Sequence, residues 1–272
     1  VKTSTILTKR GKEISTNIKR QLEMGGRIQR EAEFHDRLVS QKPNRVNCYS
    51  AGGNRRALTE LVRLAGNLDG KKVLEFGCGS GWLTIYLAQP GAHVFAFDIS
   101  EESLKVAAKY AAKHGVVDRI SFRKENAEAL SYPDNSFDVV VGGAILHHLD
   151  IEKASREIYR VLKKKGRAFF LEPLGHNPFI NLYRKMTPHK RTPDEHPLLI
   201  SHLHSLAAPF RKVEYKCFYF LAVPAYLVLA LTKNASLFQK TYDALDRADG
   251  IFLTLFPFLR RYCWSVIIVL EK

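Results

Sequence analysis

Val73-Leu74-Glu75-Phe76-Gly77-Cys78-Gly79-Ser80-Gly81 is the stretch that decides how this chain folds. An apolar strand runs into three glycines on alternate positions. Such glycines let the backbone turn sharply and bring its N–H groups close to a ligand. The segment from Trp82 to Ala88 continues as a helix and aims the positive end of its dipole at the same turn. Seventeen residues after Gly81, Asp98 closes a second apolar strand, His93-Val94-Phe95-Ala96-Phe97. A carboxylate at that place accepts hydrogen bonds from a ribose diol, so the ligand class is nucleoside-like. A dinucleotide fingerprint would require G-x-G-x-x-G, whose third glycine falls on Trp82 here.

Outward from this turn, strands and helices alternate. The periodicity predicts helices over about 15–41, ended by Pro43, and over Arg55–Ala65. Strands follow at Val73–Phe76, Val94–Phe97, Ile120–Arg123, Val139–Val141 and Ala168–Leu171. Between them lie helices Glu101–His114, capped by Ser100 and Gly115, and Ile151–Lys165, capped by Asp150 and stopped by Gly166. Alternation of this kind gives a parallel sheet wound on both faces.

The motif starting at Glu75, E-x-G-x-G-x-G, resembles motif I of the class I S-adenosylmethionine-dependent methyltransferases. The resemblance continues through Asp98-Ile99-Ser100, the 125–130 segment, Phe137-Asp138-Val139-Val140, Leu146-His147-His148-Leu149 and Val161–Arg167. It covers residues 71 to 172 and implies an α/β fold: a doubly wound, seven-stranded, mostly parallel Rossmann-like sheet with helical N-terminal and C-terminal cap insertions. It also makes Val213–Phe220 and Trp264–Leu270 the sixth and seventh strands, an antiparallel pair. By position it implies that Glu75 and the backbone of Phe76, Gly77, Cys78, Gly79 and Gly81 hold the amino-acid end of S-adenosylmethionine. Asp98 would then hold the ribose, Ile99 would pack on the adenine, and Asn126 with the N–H of Ala127 would read its edge. Ala144 follows the fourth strand and completes the set. Many relatives carry Asp where this chain has Asn126, and an amide still accepts from the exocyclic amine.

The same resemblance directs His147, His148 and Glu172 toward the acceptor. Histidine titrates near neutrality and can take a proton from a hydroxyl or amine, so these three are the candidate catalytic residues. For each there is a structural alternative: a histidine that stabilises a helix start, and a carboxylate that caps a loop. Tyr49, His176 and Tyr183 are the candidate substrate contacts. The histidines at 176, 189, 196, 202 and 204 include no i, i+4 pair with a carboxylate partner, so no metal site is expected.

At 272 residues the chain suits one overall domain with additions. The expected parts are a basic arm with N-terminal cap helices (1–56), a cofactor-binding core (57–174), a cap insertion (175–210), and the last two strands with an apolar helical insertion (211–272). Four scattered cysteines without a C-x-x-C pair point to a reducing, cytoplasmic setting. The N-terminal region holds no apolar run of signal-peptide length. The net charge of +15 is uneven, at +8 over 1–56, −3 over 57–150, +7 over 151–215 and +3 beyond. Its basic excess therefore lies on the segments that handle the acceptor. Such a field draws in nucleic acid, anionic lipid or phosphorylated small molecules, or serves solubility.

Cys217–Leu231 is uncharged, broken by Pro224 and too short to span a bilayer. It suits a strand running into a buried helix, an apolar tunnel, a subunit contact in a homo-oligomer, or a peripheral membrane edge beside Arg260-Arg261. The leading expectation is methyl transfer to an apolar small molecule: a prenylated, aromatic, polyketide-like or lipid metabolite in a carbon-lined pocket. Residues 171–178 and 191–197 resemble segments of bacterial secondary-metabolism methyltransferases, prenyl C-methylating ones included. An RNA or DNA methyltransferase is the second reading, although Gly142-Gly143-Ala144-Ile145 stands where base-amino enzymes carry (N/D)-P-P-(F/Y). A non-catalytic cofactor-fold partner protein is the third.

Overall fold

The computed structural model describes residues 25–41 and 55–272. Helix α1 spans 25–41 and α2 Arg55–Ala65. The sheet takes β1 Lys72–Phe76, β2 His93–Asp98, β3 Ile120–Lys124, β4 Phe137–Gly143, β5 Leu162–Pro173, β6 Lys212–Phe218 and β7 Ser265–Glu271. Its seven strands lie in the order β3-β2-β1-β4-β5-β7-β6. All neighbours are parallel except β7, which runs antiparallel to both β5 and β6. The remaining helices are α3 Trp82–Ala88, α4 Glu101–Lys113, α5 Ile151–Val161, α6 Pro178–Met186, α7 Ile200–Ala207, α8 Ala225–Thr232 and α9 Ala235–Leu255.

The two faces of the sheet bury separate apolar layers, because successive strand residues point to opposite sides. Val73, Val139, Val141 and Phe169 pack against α2, α3 and α4 on one face. Leu74, Phe76, Val140 and Phe170 pack against α5 and α7 on the other. Strand β1 is central: the chain passes from it to β2 and β3 on one side and returns to β4 on the other. Open α/β sheets bind ligands in the crevice at the carboxyl ends of the strands where the order reverses in this way.

Within the described residues the expected elements are recovered with two corrections. The helix expected to reach Lys165 ends at Val161. Leu162 instead pairs with Phe137 at the start of a long β5, and burial of Val161 and Leu162 favours sheet packing over a helix end carrying three consecutive lysines. The apolar run after Cys217 is not a simple buried helix. Tyr219 turns at φ 67 with its hydroxyl accepting from Ala57 N at 2.8 Å, and the following α8 leaves Leu227 and Leu231 58% and 84% exposed. For the first predicted helix, residues 25–41 are helical, while 15–24 and the Pro43 stop lie outside the described residues. Asp249 on α9 accepts from Phe220 N at 2.9 Å and Leu221 N at 2.6 Å, fastening the α8–α9 hairpin to the end of β6.

Candidate active site

The glycine turn closes on itself through Asp98. Its Oδ2 accepts from Gly79 N at 2.8 Å and its Oδ1 from Ser100 N at 2.9 Å, while Cys78 N donates to Phe97 O at 2.9 Å. One donor on each oxygen leaves lone pairs for a diol. Two glycines are required sterically. At Gly77 (φ 63) a Cβ would sit 2.6 Å from Ile145 Cδ1, and at Gly81 (φ 82) it would sit 2.9 Å from Ala107 Cβ. At Gly79 nothing lies within 4 Å of that position, so the backbone there faces open space.

Glu75 supplies the polar end of this cradle. Its side chain is buried, and Oε2 has no hydrogen-bond partner among the described residues. Burial, reinforced by Asp98, pushes its carboxyl up to about 8. An orphaned buried carboxylate is costly unless a ligand completes it, and a cationic ammonium group would do so. Together with the open backbone at Gly79, this donor set fits S-adenosylmethionine. Asn126 Oδ1 accepts from Glu128 N at 3.0 Å, shaping the loop whose Ala127 is buried. Ile99 is half-buried beside Asp98. The side chains of Phe76 and Cys78 point away from the turn into the core: the Phe76 ring packs edge-on against Phe97 and Phe170, and the Cys78 side chain is buried.

At the end of β4, Ala144 adopts φ 59, an uncommon conformation for a residue with a Cβ. The chain then enters a 3-10 turn, Leu146–His148. Glu172 lies beneath this turn and is fully buried. Its Oε1 accepts from Ile145 N at 2.8 Å and Leu146 N at 2.9 Å, and its Oε2 is 2.7 Å from His147 Nδ1. Burial pushes the Glu172 carboxyl up to about 7 and His147 well below its ordinary value. Glu172 therefore holds the turn, as in the loop-capping alternative for this residue.

Helix α1 roofs this region. Near its start, Arg27 donates to His148 O at 2.5 Å and pairs with Glu128. Near its end, Asp36 Oδ1 accepts from Ser100 Oγ at 2.6 Å and Glu102 N at 3.2 Å. The helix thus crosses from the loops after β3 and β4 to the loop after β2, over the carboxyl end of β1. Its underside brings Glu31 and His35 to the histidine pair: His148 Nδ1 lies 3.1 Å and His35 Nε2 3.6 Å from Glu31 Oε2. From the far side, Thr192 Oγ1 donates to Glu31, while Glu195 joins His147 and His148 and pairs with Arg184 at 2.7 Å.

The region enclosed between α1, the histidine turn and residues 192–195, the chamber, is consequently polar. His147 and His148 are brought together, with ring centroids 4.2 Å apart. His176 accepts from Ile200 N at 3.3 Å, and Tyr183 lies under Lys190 and Arg191 with its hydroxyl accepting from Lys190; neither joins the histidine pair. Tyr49 lies outside the described residues. Glu31 and His35 stand outside the set expected from the sequence. The i, i+4 pair Glu31/His35 was the available signal.

Residues 74–170 match the model of a methyltransferase domain family. A ubiquinone biosynthesis O-methyltransferase of Leptothrix cholodnii is 36% identical over 122 residues, covering 44% of this chain and 52% of that protein. A ubiquinone/menaquinone biosynthesis C-methyltransferase of Zymomonas mobilis is 32% identical over 157 residues, 56% of this chain and 64% of its own length. The chain thus spans between half and two thirds of these relatives. Phosphoethanolamine N-methyltransferase 2 of Haemonchus contortus, solved with phosphomonomethylethanolamine and S-adenosylhomocysteine, superposes with a TM-score of 0.61 at 19% identity. It covers 88% of this chain and 59% of that one, which establishes the shared fold.

Proposed function

We propose that this chain, a member of the class I S-adenosylmethionine-dependent methyltransferases through residues 74–170, methylates the polar end of an amphiphilic small molecule. When bound, S-adenosylmethionine supplies a sulfonium-activated methyl group for in-line displacement, a reaction governed by positioning. Glu75 and the backbone from Gly77 to Gly81 hold its amino-acid end, Asp98 the ribose, and Ile99, Asn126 and Ala127 the adenine. His148 and Glu31 line the acceptor's side of the cradle, and His147 is held in place by Glu172. The quinone-pathway relatives support a hydroxylated ring as the acceptor's reacting end.

The observation that carries this reading is the roof. With α1 tied down at His148 and at Ser100, the reacting group enters a small polar chamber between α1 and the 192–196 segment. A polynucleotide would need an open basic groove instead. Outside the chamber, α6 turns Phe179, Leu182 and Met186 to solvent at 56%, 59% and 72% exposure. It meets the 257–262 turn through Asn177 Nδ2 and Tyr262 O at 2.8 Å, where Phe258 is 68% exposed beside Arg260 and Arg261. An apolar surface flanked by arginines suits the tail of a lipid-like acceptor and the face of an anionic bilayer. Among the described residues no helix is long and apolar enough to cross a membrane.

The test incubates the purified chain with methyl-tritiated S-adenosylmethionine and, separately, an organic extract, a polar extract and total RNA. Label in an organic-phase product that Asp98→Ala abolishes supports the reading. Label confined to RNA, or to molecules of the polar extract, overturns the assignment of acceptor.

A further inference from the structure

We infer that Glu31, His35 and His148 form a binding site for one divalent transition-metal ion, set between the roof helix and the turn after β4. Three ligand atoms, Glu31 Oε2, His35 Nε2 and His148 Nδ1, all lie within 4.8 Å of one another. Two of the separations are 3.1 and 3.6 Å. Ligands held at about 2.1 Å from a common ion stand about 3.0–3.5 Å apart in tetrahedral or octahedral geometry, so the 3.1 Å contact matches a shared centre and the 3.6 Å contact needs only a small side-chain adjustment to reach it.

Pairwise ion pairing accounts less well for the cluster. Glu31 is 6% exposed, and its Oε2 and His148 Nδ1 are both buried without a hydrogen bond among the described residues. Two imidazoles converge on one carboxylate oxygen, one at 3.6 Å and the other close but out of line. An ion in their midst would satisfy all three lone pairs at once. The outer arrangement also suits a metal centre, since Thr192 Oγ1 donates to Glu31 Oε1 and fixes the carboxylate as outer partners of ligands do.

The chemistry of the set selects the ion. Two imidazoles and one carboxylate are the donors of open zinc and iron(II) sites, and they disfavour magnesium or calcium, which take oxygen ligands. Three protein ligands would leave coordination positions open. Glu31 and His35 are one helical turn apart, so the ion would fasten α1 to His148 and couple metal binding to closure of the roof.

The test uses this 272-residue chain without an affinity tag, stripped with EDTA and titrated with Co2+ while the visible d–d absorption is followed. One equivalent is expected to bind, Zn2+ should displace it, and Glu31→Gln or His35→Gln should weaken binding at least tenfold. His114→Ala, an exposed histidine on α4 outside the cluster, should bind as the parent does. S-adenosylmethionine binding, measured in parallel, reports that each variant is folded. A parent chain that binds the cofactor yet takes up no more Co2+ than Glu31→Gln overturns the metal site and leaves the methyltransferase reading intact.

Discussion

Glu172 and His147 face each other across 2.7 Å at the floor of the chamber, and the same carboxyl group holds the backbone of the turn above it through Ile145 N and Leu146 N. Removing it in Glu172→Ala strands two buried N–H groups. The expected loss is about 3 kcal/mol of stability or more, from two unsatisfied donors and the space left behind. Glu172→Gln keeps the accepting oxygen and should cost about 1 kcal/mol. Its amide donates to His147 Nδ1 and moves the ring proton to Nε2. Chemical denaturation gives the first two values and nitrogen chemical shifts of the imidazole the third. A Glu172→Ala protein as stable as its parent would remove the positioning role.

Asp36 ties the roof to the start of α4 by accepting from Ser100 Oγ and Glu102 N. Ser100 Oγ also accepts from Ser103 N at 3.0 Å as the cap of α4, so its hydroxyl serves both connections. Asp36→Ala should leave global stability within about 1–2 kcal/mol of the parent. It should also raise amide hydrogen exchange along 25–41 and weaken S-adenosylmethionine binding several-fold. Unchanged exchange in that helix would show that the Asp36 contacts do not hold the roof.

With Glu75 holding the cofactor's ammonium group, as proposed, binding should depend on pH. Burial raises its carboxyl to about 8 in the free protein, so near neutrality it is largely protonated. A cation placed beside it favours the ionised form and expels the proton. Affinity for S-adenosylmethionine should therefore rise with pH up to about 8 and level off above. Stability of the free protein should run the other way: the native state keeps a proton that the unfolded chain loses, so stability falls from the ordinary carboxylate range up to about 8. Calorimetry in two buffers of different ionisation enthalpy counts the proton released. Glu75→Gln should flatten the profile, and a profile as steep as the parent's would sink the assignment.

Ile251, Leu255 and Phe258 are 70%, 68% and 68% exposed near Arg260 and Arg261. On vesicles containing anionic phospholipid, the double substitution Ile251→Asp and Phe258→Asp should weaken binding about tenfold or more. Burying each side chain contributes about 1.5–3 kcal/mol. Cofactor affinity should not change. Equal partitioning of parent and variant in a flotation assay would remove the membrane-facing role of this surface.

The sequence by itself determined the architecture and the glycine turn after β1. Strand periodicity, the alternate glycines from Gly77 to Gly81 and the placement of Asp98 are local signals, because a turn, a cap and a strand face are set by residues a few positions apart. Helix α2 and helix α3 carry the bounds read from their patterns for the same reason. Tertiary structure decided the chamber. Glu31 meets Thr192 across 161 positions and Arg27 meets His148 across 121, and no local pattern encodes which surface a roofing helix will cover. It also decided that Glu172, readable as a free carboxylate at a strand end, spends its oxygens on the turn, because burial obliges a carboxylate to find donors wherever the fold supplies them. The exposed apolar faces of α6, α8 and α9 belong to the same class, since composition gives their hydrophobicity and packing alone determines which side chains are left uncovered.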